Sequence, residues 1–274
     1  MGITIAFLAY LEAENIKASF PAVKKEAEAL GEPVEYIVVD TEKALDDTPE
    51  VCKQYGIRYL NQKWPHYGGA IRTAFQSAEM DKIFILDADG SPDPRFMRPM
   101  YDAMLAGADL VIGSRHIKGG ANADSRSAEI MSNICNACFR IGLGMKVKDC
   151  STSYRLYHTQ DVSRLLLSSE NFDVMEEILL KLRLTKGESF VVKEIPVQAI
   201  ERQSGESKRS LLKFIYSLGR TLIKMVILRI LAWRQYQPEK HERQAEVLTK
   251  AAIACSAILV LLLAAGVAYL LFVG

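Results

Sequence analysis

Residues 83–94 read IFILDADGSPDP. Four apolar residues run into two aspartates one position apart, and the chain then breaks into Gly, Ser and Pro. Asp, Gly, Ser and Pro all favour turns, so the tip reads first as a solvated turn. It also reads as a divalent-metal hook, because two carboxylates at a strand end are hard oxygen donors that suit Mg²⁺ or Mn²⁺. The residues on either side decide between the two.

Strand and helix patterns alternate around this stretch. ITIAFLAY, VEYIVVD, IRYLNQ, KIFILDAD and ADLVIGSR read as strands. ENIKASFPAVKKEAEAL, GGAIRTAFQSAEM and PRFMRPMYDAMLAG carry apolar residues at helical spacing. Alternation at these lengths predicts an α/β fold, a mostly parallel sheet with helices on both faces. Ligands of such sheets bind beyond the carboxyl ends of the strands. The residues there are Glu12, Asp40, Asp87, Asp89 and Arg115. Four acids converging on one rim repel one another, and a cation would relieve that repulsion. Further on, DCSTSYRLY and SFVVKEIPVQAIER read as strand-like, FDVMEEILLKL as helical, and SGESKRS as a polar loop of the kind that forms lids.

Composition narrows the partners. Of 274 residues, 49% are hydrophobic and 24% charged, and the net charge is +1, which gives no footprint for nucleic acid. The apolar residues concentrate towards the C-terminus, where Ala251 to Val273 carries no charge. About 20 such residues suffice to span a bilayer. Arg234, Lys240, Arg243 and Lys250 precede this run, so the positive-inside rule predicts a single-pass protein whose catalytic part is cytoplasmic. No N-terminal signal segment precedes the first strand, which agrees with that side. The expected organisation is a catalytic domain at 1–208, an amphipathic membrane-interface helix at 209–235, a linker at 236–250 and a transmembrane helix at 251–273. Lys213, Arg220 and Lys224 fall on one face of the amphipathic helix and are expected to meet lipid phosphates. The five cysteines do not suggest a disulfide framework in that compartment, and Cys135 and Cys138 lack the further ligands of a zinc site.

Taken in order, the motifs resemble those of family 2 glycosyltransferases of the GT-A fold (Rossmann-like, with a mostly parallel mixed sheet flanked by helices). The likeness is to the branch of dolichyl-phosphate mannose synthase and bacterial polyprenyl-phosphate hexosyltransferases. It spans roughly residues 3–210 and rests on AYLEAENI (9–16), VVD ending at Asp40, GGAIRTAF (68–75), DADGSPDP (87–94), VIGSR (111–115), DCSTSYRLY (149–157) and ERQSGESKRS (201–210). The chain departs from the family pattern at Leu8, Leu11, Ser91 and Ser153, where relatives usually carry proline, asparagine, glutamine and glycine.

The resemblance implies a metal-dependent, inverting transfer of a hexose from a nucleoside diphosphate sugar to dolichyl or polyprenyl phosphate. GDP-mannose is the first expected donor and UDP-glucose the second, with Mg²⁺ or Mn²⁺ as cofactor. It implies nucleotide contacts from Tyr10, Glu12, Asp40 and Asp87, and metal contacts from Asp87, Asp89 and Ser91. Arg115, Ser132, Arg202 and Lys208 are implied at the acceptor phosphate. Asp89, Arg115, Arg202 and Asp149 would carry the chemistry, with Arg126 and Glu177 as further candidates. A lipid phosphate is already an anionic nucleophile, so the site needs to hold two anions together and stabilise the leaving diphosphate. Transfer to a hydroxyl-bearing lipid such as diacylglycerol would instead need a base, from Asp149 or Glu177. A non-catalytic, nucleotide-sugar-binding membrane scaffold is the third reading. A homo-oligomer is compatible with the sequence and not specified by it.

Overall fold

The computed structural model describes residues 1–121, 126–198, 211–232 and 236–254, with 126–132, 134, 135 and 211–218 as backbone only. The chain divides into two units, Met1–Arg209 and Ser210–Gly274.

The first unit is built on seven strands: β1 (Ile3–Leu8), β2 (Val34–Asp40), β3 (Arg58–Asn61), β4 (Lys82–Asp87), β5 (Leu110–Ser114), β6 (Arg155–His158) and β7 (Val192–Pro196). They form one sheet in the order β3-β2-β1-β4-β6-β5-β7. All pairings are parallel except those of β6, which runs against both β4 and β5. Strands covered on both faces read as near-continuous apolar runs. β1 shows this, with all six residues buried and Thr4 the one polar residue among them.

Helices α1 (Ala13–Glu28), α2 (Thr48–Tyr55), α3 (His66–Ser77), α4 (Met97–Leu105), α5 (Arg126–Leu143), α6 (Thr159–Val162) and α7 (Val174–Lys186) connect the strands. α1 buries Ile16, Phe20, Val23 and Ala27, a stripe at helical spacing, and these join Phe7, Val38, Phe84 and Leu86 in one core. α2 is not anticipated by the sequence pattern. It is short and largely polar, and local chemistry holds it: Asp46 accepts from the main-chain N–H and hydroxyl of Thr48 at 3.1 and 2.6 Å, and Gly56 ends the helix at φ +68°.

Two features of this topology aim the rim. β1 pairs with β2 on one side and β4 on the other, so the sheet's switch point opens beyond the ends of β1 and β4. Because β6 is antiparallel, its start lies at the end of β4. Ile85 is opposite Arg155, and continuing that register sets Asp87 opposite Ser153.

In the second unit, α8 (Leu211–Leu231) is accompanied by a helix over 238–254. Residues 238–250, expected to be linker, are therefore helical, with His241, Ala245 and Thr249 buried at four-residue spacing. Two of the cations expected to meet lipid phosphates are paired with acids of this unit. Arg220 pairs with Glu246 at 2.7 Å, and Lys224 lies 3.3 Å from Glu242 and 3.7 Å from Glu246. The acids of the second helix recur at a spacing that meets the basic stripe of α8. Among the described residues no helix is long and apolar enough to cross a membrane. The apolar run at 251–273 lies outside them beyond residue 254.

Candidate active site

Asp87 ends β4, and both of its carboxylate oxygens are held. Oδ1 accepts from the Tyr67 hydroxyl at 2.9 Å and Oδ2 from the Ser153 hydroxyl at 2.8 Å. Burial and the Asp87 charge keep the Tyr67 phenol well above its ordinary pKa, so it remains a donor. Two residues on, the chain turns. The Asp89 carboxylate, 7% exposed, accepts the Ser91 main-chain N–H at 3.0 Å across Gly90, whose φ is +76°. Only glycine adopts that angle without strain, so the turn and the aim of Asp89 have one cause. Ser91 thus fixes Asp89 through its backbone. Asp93 then closes the turn by capping Pro94–Phe96 and binding the Arg95 guanidinium.

The neighbouring strand ends supply the other acids. Asp40, buried at the end of β2, accepts from the Thr41 N–H at 2.7 Å and the Tyr59 hydroxyl at 3.1 Å. Burial nonetheless lifts its carboxyl above the ordinary range. Glu12 stands at the cap of α1 and accepts from the Asn15 side chain at 2.5 Å. Before it, Tyr10 is exposed, and Leu11 holds φ +60°, a left-handed conformation that a leucine seldom adopts.

Arg115 follows β5 directly and is gripped by Asp149. Its main-chain N–H and Nε donate to Oδ2 at 3.1 and 3.0 Å, and Nη2 donates to Oδ1 at 3.2 Å. Asp149 is wholly buried, which alone would raise its pKa. The Arg115 charge and hydrogen bonds outweigh burial and hold the carboxyl below its ordinary value. Glu194 on β7 seats this loop by accepting the N–H groups of Lys148 and Asp149, both at 3.0 Å. The other candidate base, Glu177 on α7, is also fully buried. It accepts from the Ser168 N–H and hydroxyl, the Ser169 N–H and the Lys181 ammonium.

Asp87 and Asp89 fit a divalent cation in donor type. Among the described residues no group of three or more His, Cys, Asp or Glu is placed to hold a metal. An ion on the two carboxylates would therefore complete its shell from a substrate diphosphate and water, as Mg²⁺ commonly does.

Ser132 and Arg126 lie on α5, of whose side chains there nothing is described, and Arg202 and Lys208 fall outside the described residues. Tyr67, Ser153 and Glu194 carry no sequence signal for the roles they take here. The one available hint is the Gly68-Gly69 pair, which marks a close approach of backbones beside Tyr67.

The family description for glycosyl transferase family 2 matches residues 4–166. The chain belongs to glycosyl transferase family 2. The matched span holds Glu12, Asp40, Asp87, Asp89, Arg115 and Asp149. A dolichol-phosphate mannosyltransferase of Pyrococcus furiosus is 25% identical over 247 residues, 85% of this chain and 64% of that protein. A polyprenol monophosphomannose synthase of Mycolicibacterium smegmatis is 35% identical over 128 residues, 46% of this chain and 48% of that one. The chain thus spans about half to two-thirds of these relatives' lengths. Among solved structures, glucosyl-3-phosphoglycerate synthase of Mycobacterium tuberculosis, in complex with Mn²⁺, UDP and phosphoglyceric acid, superposes with a TM-score of 0.64. The match has 17% identity and covers 82% of this chain and 78% of that one. The family 2 member therefore has a GT-A-like α/β fold.

Proposed function

We propose that this family 2 member transfers a hexose, with inversion, from a nucleoside diphosphate sugar to the phosphate of a polyprenyl or dolichyl lipid at the cytoplasmic membrane face. Mannose from GDP-mannose is the first donor and glucose from UDP-glucose the second. The observation that carries the choice of acceptor is that the two candidate bases, Asp149 and Glu177, are both fully buried and engaged with internal donors. A hydroxyl acceptor needs a carboxylate within reach to take its proton. A phosphate acceptor does not. The names of the relatives, dolichol-phosphate mannosyltransferase and polyprenol monophosphomannose synthase, support the same choice.

In this reading a lipid phosphate oxygen attacks C1 of the sugar, forming the new C1–O bond. The bond from C1 to the donor diphosphate breaks, and its electrons leave with the nucleoside diphosphate. Mg²⁺ or Mn²⁺ on Asp87 and Asp89 would offset the charge on that leaving group; the Mn²⁺ and Mg²⁺ complexes of the structural neighbour support such a cation. Tyr10, Glu12 and Asp40 would hold the nucleoside. Arg115, fixed in orientation by Asp149, would meet phosphate oxygens in the fork geometry that suits guanidinium. Ser132, Arg202 and Lys208 complete the proposed acceptor site, and the run at 251–273 is its proposed membrane anchor.

The test is a transfer screen with radiolabelled GDP-mannose and UDP-glucose, offering polyprenyl phosphate or diacylglycerol in each case. Label recovered in polyprenyl phosphate sugar, dependent on Mg²⁺ or Mn²⁺, is the expected result. Label only in diacylglycerol would replace this reading with the hydroxyl-acceptor one. Donor binding with no transfer to either lipid would favour the scaffold reading.

A further inference from the structure

We propose that Tyr67 is a positioning residue for Asp87, held in place by the segment 166–172. The inference rests on the reading that Asp87 and Asp89 bind the donor diphosphate through a divalent cation.

The contacts form a continuous chain from a buried ion pair to the rim. On α7, Glu177 and Lys181 are fully buried and 2.6 Å apart. Glu177 takes the N–H groups of Ser168 and Ser169, and Lys181 donates to the carbonyl of Leu166. These bonds fix the segment to α7. The segment is fixed on its other side by α3: the Gly68 N–H donates to the Glu170 carbonyl at 2.8 Å, and Arg72 donates to the Leu167 carbonyl at 3.2 Å. A Cβ on Gly68 would lie 2.1 Å from the Ser169 carbonyl oxygen, so any other residue would force the two backbones apart. At the end of the segment, Phe172 stacks on Tyr67 with ring centres 4.1 Å apart and planes at 24°. The Tyr67 hydroxyl then meets Asp87 at 2.9 Å.

A structural packing role alone would not require the hydroxyl to end on a rim carboxylate. Nor would it require His66, immediately before Tyr67, to hold φ +63°. A non-glycine residue in that region is strained, and the strain persists only where neighbours over-determine it. With Ser153 on the other oxygen, Tyr67 sets the plane of the Asp87 carboxylate. Glu177 thereby has a place in the site without touching it.

The experiment uses the full chain and follows Mn²⁺ binding through the free-ion EPR signal, with GDP or UDP present. Tyr67→Phe keeps the stack and removes the hydroxyl, and should weaken nucleotide-dependent Mn²⁺ binding roughly tenfold, the usual scale for a hydrogen bond to a charged group. Nucleotide binding without Mn²⁺ should stay within twofold. Phe172→Leu should act in the same direction, and Phe172→Tyr, which keeps the stack, should restore binding. If Asp89→Ala abolishes Mn²⁺ binding while Tyr67→Phe leaves it within twofold, the positioning role is overturned and the metal reading stands. If Asp89→Ala leaves Mn²⁺ binding intact, the metal reading falls and the inference falls with it. Equal losses of metal-dependent binding, metal-free binding and thermal midpoint in Tyr67→Phe and Phe172→Leu would reduce Tyr67 to a packing residue.

Discussion

Arg115 and Asp149, 34 residues apart in the chain, are locked together by three hydrogen bonds, one from the Arg115 main chain and two from its guanidinium. Asp149 is fully buried while Arg115 keeps part of its side chain at the surface. The buried partner therefore orients the accessible one. Breaking one side of such a pair typically costs about 3–5 kcal/mol when both charges are buried, and less here because Arg115 retains some solvent.

Asp149→Asn should therefore lower turnover at least roughly tenfold while leaving an Arg115 that is present but misaimed. The pH dependence distinguishes this from loss of a base. Asp149 has a lowered folded pKa, so its contribution to stability is complete above the ordinary carboxylate range and is lost only as the pH falls through the lower folded value. Denaturation midpoints of the wild type and Asp149→Asn should thus differ by a constant amount from neutral pH down to about pH 5, and converge below. A wild-type turnover profile with an acid-side limb that disappears in Asp149→Asn would point to a titrating base instead.

Asp89→Ala removes the carboxylate that the Ser91 N–H aims across Gly90. Metal-dependent donor binding should be abolished, measured by calorimetry with GDP or UDP in the presence and absence of Mn²⁺. Ser91→Ala keeps the main-chain N–H and should lose little by comparison. Unchanged metal dependence in Asp89→Ala would remove the D-x-D assignment.

What the sequence discloses here follows from how local each cause is. The strand ends were readable because burial on both faces makes the last residues of each strand mostly apolar, and a charged residue then marks the tip: Asp40, Asp87 and Arg115 all stand out this way. DADGSPDP was readable because turn chemistry is local. The grip of Asp149 on Arg115 was not, since it depends on β5 and a distant loop meeting. Tyr67 on Asp87 is another such case, set by the crossing of α3, the 166–172 segment and an antiparallel β6 whose direction no single-strand pattern reports. α2 went unread because eight mostly polar residues give too little periodicity, and the Asp46 carboxylate that holds Thr48 at its start is a side-chain device. The helical character of 238–250, expected to be linker, went unread because it depends on a tertiary pairing: Glu242 and Glu246 meet the cations of α8.

Arg202 lies in the polar loop that the sequence places between the catalytic unit and α8, outside the described residues. If it meets the acceptor phosphate, Arg202→Ala should raise the polyprenyl phosphate KM by at least roughly tenfold, the loss of one charge-assisted bond. Binding of GDP or UDP should change by less than about twofold. The measurement is a pair of titrations, acceptor-dependent transfer and nucleotide calorimetry, on the same preparation. Equal losses in both would move Arg202 to the donor side.

Glu176 gives a prediction about stability that is independent of the reaction. It is buried on α7, and its Oε2 has no hydrogen-bond partner among the described residues. Burial lifts its pKa from 4.5 to about 8, with Asp173 and Asp149 adding to the rise and the Arg155 charge opposing it. The folded chain therefore keeps a proton there that the unfolded chain releases above its ordinary carboxylate value. Stability must then fall as the pH rises from about 4.5 towards 8 and level off beyond it. The steepest slope expected for one such group is about 1.4 kcal/mol per pH unit. Glu176→Gln replaces the protonated acid with a neutral amide of the same shape and should remove that slope. Urea denaturation of both proteins from pH 5 to pH 9 measures it. The variant should match the wild type near pH 5 and exceed it increasingly up to pH 8. Curves that stay parallel across this range would mean that Glu176 ionises in the folded protein at no cost, and that an interaction with the Arg155 guanidinium outweighs its burial.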